Sequence, residues 1–139
     1  MTGSSPTGPP LTAPTVSEGL TPGSIVWVDV DPIRGKEQRG VRPALVVAGA
    51  DYLASVPDLV IVVPLTTADR GWQHHVVVRG RDAGLPRRSF AMTEQPRTIS
   101  RERVNRHSGR ADDMTMAAVH GWLRDFLALG PEPSGRGTR

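Results

Sequence analysis

Ile25-Val-Trp-Val-Asp-Val-Asp-Pro-Ile-Arg-Gly-Lys-Glu-Gln-Arg-Gly-Val-Arg-Pro-Ala-Leu-Val-Val47 reads as a strand, a basic loop and a second strand. Pro22-Gly23 forms a turn, and the β-branched and aromatic run Ile25 to Val30 then closes at Asp31-Pro32, because proline removes a donor and restricts the residue before it. The loop Ile33 to Val41 carries Gly35 and Gly40. Ala44 to Ala48 is a continuous apolar run of strand length, the pattern of a strand buried on two faces.

The same punctuation continues outward. Leu59 to Val63 is a second apolar run, His75 to Arg79 a further strand, and Ser89 to Glu94 another. Short strands separated by Gly, Pro and Asp predict a mostly β (α+β) fold, a small closed or nearly closed antiparallel barrel. The period then changes. Asp112 or Asp113 can cap a helix running to Leu129, with Met116, Val119, Leu123 and Phe126 on one stripe and Gly130-Pro131 stopping it.

The flanks differ from this core. Residues 1–21 and 131–139 are rich in Pro, Gly, Ser and Thr, too poor in apolar residues to offset the entropy of ordering, and are expected to be disordered tails around a domain at 22–130. Neither apolar run approaches the roughly 18 residues that a spanning helix needs. The first ten residues have neither a basic start nor an apolar centre, so no signal peptide is expected. Cysteine is absent from all 139 residues, which excludes disulfides, a thiolate nucleophile and Cys-ligated metal. A cytoplasmic location is the corresponding expectation. Aromatic residues make up 4%, which argues against an RNA-binding platform of stacked rings.

Lys and Arg number 17 against 14 Asp and Glu, a net +3, and Lys36 is the only lysine. Guanidinium groups hold phosphate and carboxylate in two-pronged geometry. They fall in three clusters: Arg34, Lys36, Arg39 and Arg42; Arg79, Arg81, Arg87 and Arg88 around Gly84; and Arg97, Arg101, Arg103, Arg106 and Arg110. Three basic loops on a small barrel are read as a footprint for a polyanion. The alternative is arginine on ordinary solvated faces, and composition alone does not separate the two.

Asp31-Pro32, Gly35, Glu37-Gln38, Gly40 and Arg42-Pro43 together form the pattern Asp-Pro-x-x-Gly-x-Glu-Gln-x-Gly-x-Arg-Pro between two strands. Two further motifs follow in order: Val62-Val-Pro-Leu-Thr-Thr67 and Glu94-Gln-Pro-Arg-Thr-Ile99. With these, the chain from about Gly23 to Leu129 resembles the MazF/PemK (Kid-like) toxin endoribonucleases of type II toxin–antitoxin systems. The resemblance implies an SH3-like barrel with a C-terminal helix and a homodimer. It also implies sequence-specific, metal-independent cleavage of single-stranded RNA that inhibits translation and growth, and neutralisation by an acidic, MazE-like antitoxin. No cofactor or metal is implied.

Such cleavage uses the substrate's 2′-hydroxyl as nucleophile and leaves a 2′,3′-cyclic phosphate and a 5′-hydroxyl. The protein must orient the nucleophile, stabilise charge on phosphorus and manage two protons. The resemblance assigns the catalytic pair to Arg42 and Thr66. A guanidinium suits the charge-stabilising role, and because it stays protonated in proteins it is a poor base. The Thr66 hydroxyl can donate to a phosphate oxygen, position the 2′-hydroxyl, or cap the turn before Asp69. In the PemK branch a His precedes Glu-Gln and an Arg stands two positions before the acid of the third motif. Lys36 and Met92 occupy those places here, so only Glu94 remains of that set, to read a base edge or to orient Arg97. The RNA path implied by the family runs past Lys36, Glu37, Gln38 and Arg39, past Thr67 and Trp72, and past Gln95 and Arg97. Trp72 either stacks a splayed base, worth about 1–3 kcal/mol, or covers the open end of the barrel.

The four histidines are further candidates, since imidazole is the usual acid–base group near neutrality. His74 and His75, if both lie in a strand, point to opposite faces and cannot act together. His107 sits among arginines and can contribute to RNA contact, while His120 on the helix flank is read as a packing residue. The separation of the four argues against a metal site. Two other functions remain open on the same fold: a gyrase-binding poison resembling CcdB, and an inactive RNA- or antitoxin-binding paralogue. The first relies on a C-terminal Trp-Gly-Ile, where this chain has Arg136-Gly-Thr-Arg139. Retention of Arg42 and Thr66 counts against the second.

Overall fold

In the computed structural model, which describes residues 19–29 and 40–130, the elements are β1 (Ser24–Asp29), β2 (Val41–Val46), α1 (Ala50–Ser55), β3 (Leu59–Thr66), β4 (His75–Val77), β5 (Phe90–Met92), β6 (Arg97–Ser100), β7 (Val104–Arg110) and α2 (Asp113–Phe126). The mostly β fold with one C-terminal helix is the expected one. Both proposed tails lie largely outside the described residues, as do Asp31, Pro32, Arg34, Gly35 and the predicted RNA-path residues Lys36, Glu37, Gln38 and Arg39. The described fold reaches into the N-terminal segment, since Leu20 is buried in the core.

The strands pair antiparallel in the order β4-β5-β3-β2-β1-β7, with β6 also on β3. Among the described residues β4 and β7 do not pair, so of the expected closed or nearly closed barrel it is the second, incompletely closed form that is found. Two backbone bonds bridge the gap, Arg110 N–H to Asp82 O at 2.9 Å and Asp112 N–H to Arg79 O at 2.8 Å. These lie in the irregular connection after β4, which leaves the sheet too short for a continuous ladder.

Alternation along β1, β2 and β3 loads both faces of the sheet. Ile25, Leu45, Val63 and Leu65 form one core with Val78, Met116 and Val119. Val26, Ala44, Val46, Val60 and Val62 form a second with Leu53 and Val104. This is why these segments read as continuous apolar runs rather than as a hydrophobic–polar alternation. Of the α2 stripe, Met116 and Val119 are buried and Leu123 packs on the first core, while Phe126 is exposed. His120 is tied down through Nε2, 3.0 Å from Val47 O.

The third arginine cluster, Arg97 to Arg110, does not sit in a loop. It runs along β6, a single 3-10 turn at Arg101–Arg103, and β7. Several of its guanidiniums hold backbone. Arg101 donates to Leu59 O, Leu53 O and Val56 O at 2.9, 2.6 and 3.1 Å, satisfying carbonyls at the end of α1. Arg103 donates twice to Asp29 O, and Arg110 reaches Pro22 O. Part of the positive charge is therefore structural.

Asp112 caps α2 as expected. Its Oδ1 accepts from the Thr115 hydroxyl at 2.7 Å and from Thr115 N–H at 2.9 Å, and these bonds hold its carboxyl below the ordinary 3.8. A depressed folded pKa contributes stability that is present above the unfolded value and fades as pH falls through the lower folded one. Asp112→Asn is therefore expected to flatten the loss of thermal stability on the acid side of 3.8. Parallel pH–midpoint curves for the two proteins would contradict this coupling.

Candidate active site: a groove across β2 and β3

The β2–β3 ladder pairs Ala44 with Pro64, Leu45 with Val63 and Val46 with Val62. Continuing that register by two residues sets Arg42 across from Thr66, on the same face of the sheet as Ala44 and Pro64. On the far side of β3, Val62 pairs with Arg97 and Val60 with Ile99, and on the near side of β2, Arg42 pairs with Val28. Period-two alternation thus brings one set of side chains onto one face.

That face forms a groove of about 520 Å³. Its floor is apolar, from Val28, Ala44, Val62 and Ile99, and its polar groups are Arg42, Thr66, Gln95, Arg97 and Arg103. Arg42 and Arg97 are exposed and Thr66 is half-buried. Three guanidiniums and a hydroxyl over a dry floor can grip a phosphodiester and stabilise charge developing on it. Asp29 is the acid in the lining, and its carbonyl is held by Arg103. Thr66 also performs the turn role, its Oγ1 accepting from Ala68 N–H at 3.1 Å, which orients the hydroxyl at the end of β3. The Asp69 carboxylate closes the next turn by accepting from Gly71 N–H.

Arg42, Thr66, Gln95 and Arg97 are therefore brought together. Arg103 joins them although it was not singled out for the site. The signal was present, since Arg103 belongs to the third cluster, but its register was not readable. Thr67 is exposed beyond the end of β3, and Trp72 lies outside the groove lining.

Glu94 takes another direction. Its carboxylate lies 3.1 and 3.2 Å from His75 Nε2 and 3.4 Å from His74 Nε2, and it accepts from Gln95 Nε2 at 3.1 Å. The condition under which His74 and His75 would point apart, both lying in a strand, is not met, because β4 begins at His75. His74 precedes the strand, so alternation does not govern it. Burial raises the Glu94 pKa, but bonds from Gln95, its own backbone and His75, with the His75 charge, outweigh this and hold it below the usual 4.5. Trp72 stacks on His74 with ring centroids 5.4 Å apart, and Trp122 and Phe126 of α2 meet the same ring edge-on. Trp72 is thus half-exposed at the side of an aromatic cluster rather than over Arg42.

Comparison with known proteins supports the family expectation. Residues 21–127 match the family described as PemK-like, MazF-like toxin of type II toxin-antitoxin system. The chain is 35% identical over 78 residues to endoribonuclease toxin MazF of Escherichia coli (strain K12), covering 56% of this chain and 66% of the relative. It is 32% identical over 109 residues to endoribonuclease EndoA of Bacillus subtilis (strain 168), covering 77% of this chain and 93% of the relative. The matched region thus spans just under two thirds of the E. coli protein and nearly all of the B. subtilis one. The MazE–MazF crystal structure from Deinococcus radiodurans superposes with a TM-score of 0.68 at 27% identity, over 80% of this chain and 97% of that one. The family match over residues 21–127, the relatives and the superposed fold agree on one assignment: this chain belongs to the PemK-like, MazF-like toxins of type II toxin–antitoxin systems.

Proposed function

We propose that this toxin is a sequence-specific endoribonuclease that cleaves single-stranded RNA in the β2–β3 groove without a metal ion. The observation that carries the reading is that Arg42 and Thr66 line one groove with an apolar floor, together with Arg97 and Arg103. The substrate's 2′-hydroxyl loses its proton to solvent as its oxygen attacks phosphorus, the bond to the 5′-oxygen breaks, and protonation of that oxygen leaves a 2′,3′-cyclic phosphate and a 5′-hydroxyl. Arg42 holds two non-bridging oxygens as charge builds on them and assists protonation of the leaving oxygen. The Thr66 hydroxyl positions the nucleophile or donates to the phosphate. Arg97, Arg103 and Gln95 hold the strand on either side. Glu94, turned toward the histidines, acts on this groove through Gln95.

The chain works in the cytoplasm as a homodimer in this reading. An acidic, extended antitoxin segment occupies the arginine-lined groove and excludes RNA by competition. The relatives named endoribonuclease support the nuclease reading, and the Deinococcus radiodurans structure of MazE with MazF supports an antitoxin partner.

The test is to incubate the chain with a long RNA in excess EDTA and map both ends at each cut. Cuts at a recurrent short sequence, with cyclic phosphate on one side and 5′-hydroxyl on the other, are expected. No cleavage, or 5′-phosphate ends, would overturn the reading.

A further inference from the structure

We propose that His74, His75 and Glu94 form a binding site for a divalent transition-metal ion of the zinc class, separate from the RNA groove. The hairpin builds the site from the backbone up. His75 pairs with Met92, and the fully buried Thr93 donates its hydroxyl to His74 O at 2.6 Å, fixing the chain ahead of β4. A turn closed by Gln95 N–H to Met92 O then swings Glu94 toward both imidazoles.

One ligand atom from each of the three lies within 4.8 Å of the others. The contacts of His75 Nε2 and His74 Nε2 with Glu94 Oε1 are 3.1 and 3.4 Å. Ligands bound tetrahedrally to zinc at 2.0–2.1 Å stand roughly 3.4 Å apart, so the carboxylate already sits near coordination spacing from each imidazole. Two imidazoles and one carboxylate are a donor set suited to zinc, iron or nickel, with one position left for water.

The surroundings fit an ion better than a general base. The His75 side chain is 2% exposed, while those of His74 and Glu94 are 29% and 31% exposed, which leaves one solvent-facing entry. Nothing described hydrogen-bonds His75 Nδ1, so its ring is held from the Nε2 side. Trp72, Trp122 and Phe126 supply an apolar wall on the outer flank. Arg70 lies over this wall, its guanidinium 5.6 Å from the Trp72 ring centre. An ion here ties the segment before β4 to the turn after β5. Because Gln95 bonds to Glu94, its occupancy also bears on one rim of the groove.

The test is a titration of the chelator-stripped, tag-free full chain with Zn²⁺ by calorimetry, and with Co²⁺ by visible absorption and tryptophan fluorescence. One ion per chain, intense tetrahedral Co²⁺ bands and quenching through Trp72 and Trp122 are expected. His75 is too buried for a clean substitution, so His74→Ala and Glu94→Gln are the variants, each expected to weaken binding at least tenfold. His107→Ala serves as a control that leaves binding unchanged. Absence of stoichiometric binding by the wild type, or unchanged binding in His74→Ala and Glu94→Gln, would overturn the site. Neither result depends on RNA cleavage, so the proposed activity stands or falls separately.

Discussion

Arg42→Ala is expected to lower the single-turnover rate of RNA cleavage by roughly 100- to 1,000-fold, the usual loss when one preorganised charge-stabilising donor is removed. Arg42 lies at the exposed start of β2, where its backbone pairs with Val28 and its side chain lines the groove. Truncation beyond Cβ leaves the backbone ladder intact, so the thermal midpoint is read beside the rate. Arg42→Lys keeps the charge but loses the planar fork, and should recover only part of the rate. A rate fall accompanied by an equal loss of fold would show that Arg42 is structural. An unchanged rate would remove it from the chemistry.

The largest expected stability effect lies elsewhere, at Gly109→Ala. A Cβ on Gly109 would meet the backbone oxygens of Asp82 and Ala83, and one on Gly84 would meet Ser108 O. These main-chain segments are locked where β7 passes the loop that bridges the open side of the barrel, through Arg110 N–H to Asp82 O. Flexible side chains can yield to such a clash, whereas paired backbone cannot. A cost of about 3 kcal/mol follows, at the upper end for overpacking. For a domain of this size that lowers the unfolding midpoint by roughly 10 °C or more. Gly121→Ala in α2 is the internal control, because a Cβ there meets nothing within 4 Å. It should be neutral or stabilising by up to about 1 kcal/mol. Equal midpoints for Gly109→Ala and wild type would mean that the strand and loop separate freely.

Much of this architecture was legible in the sequence, for identifiable reasons. β1, β2 and β3 are buried on both faces, so their β-branched runs stand out from their turns. α2 carries its own start signal in Asp112 and its stripe in Met116 and Val119. β7 was not legible, because Val-Asn-Arg-His-Ser-Gly-Arg buries only Val104 and otherwise reads as a charged loop. α1 is six residues long, too short for periodicity to register. Within the site, the motifs singled out Arg42 and Thr66, but their facing each other depends on the β2–β3 register, a non-local property. The same holds for Arg103, which reaches the groove through the β1–β7 pairing. His74 and His75 show the opposite case, in which a local rule does not apply because one of the two lies outside the strand.

The central claim is that the substrate supplies its own nucleophile to a phosphate held by Arg42 and Thr66. It is tested most directly with an RNA oligonucleotide carrying a single 2′-deoxy substitution on the 5′ side of the mapped scissile bond. The account predicts that this oligonucleotide stays uncut while still competing with unmodified RNA for the enzyme. Cleavage of the deoxy-substituted bond at the unmodified rate would contradict it.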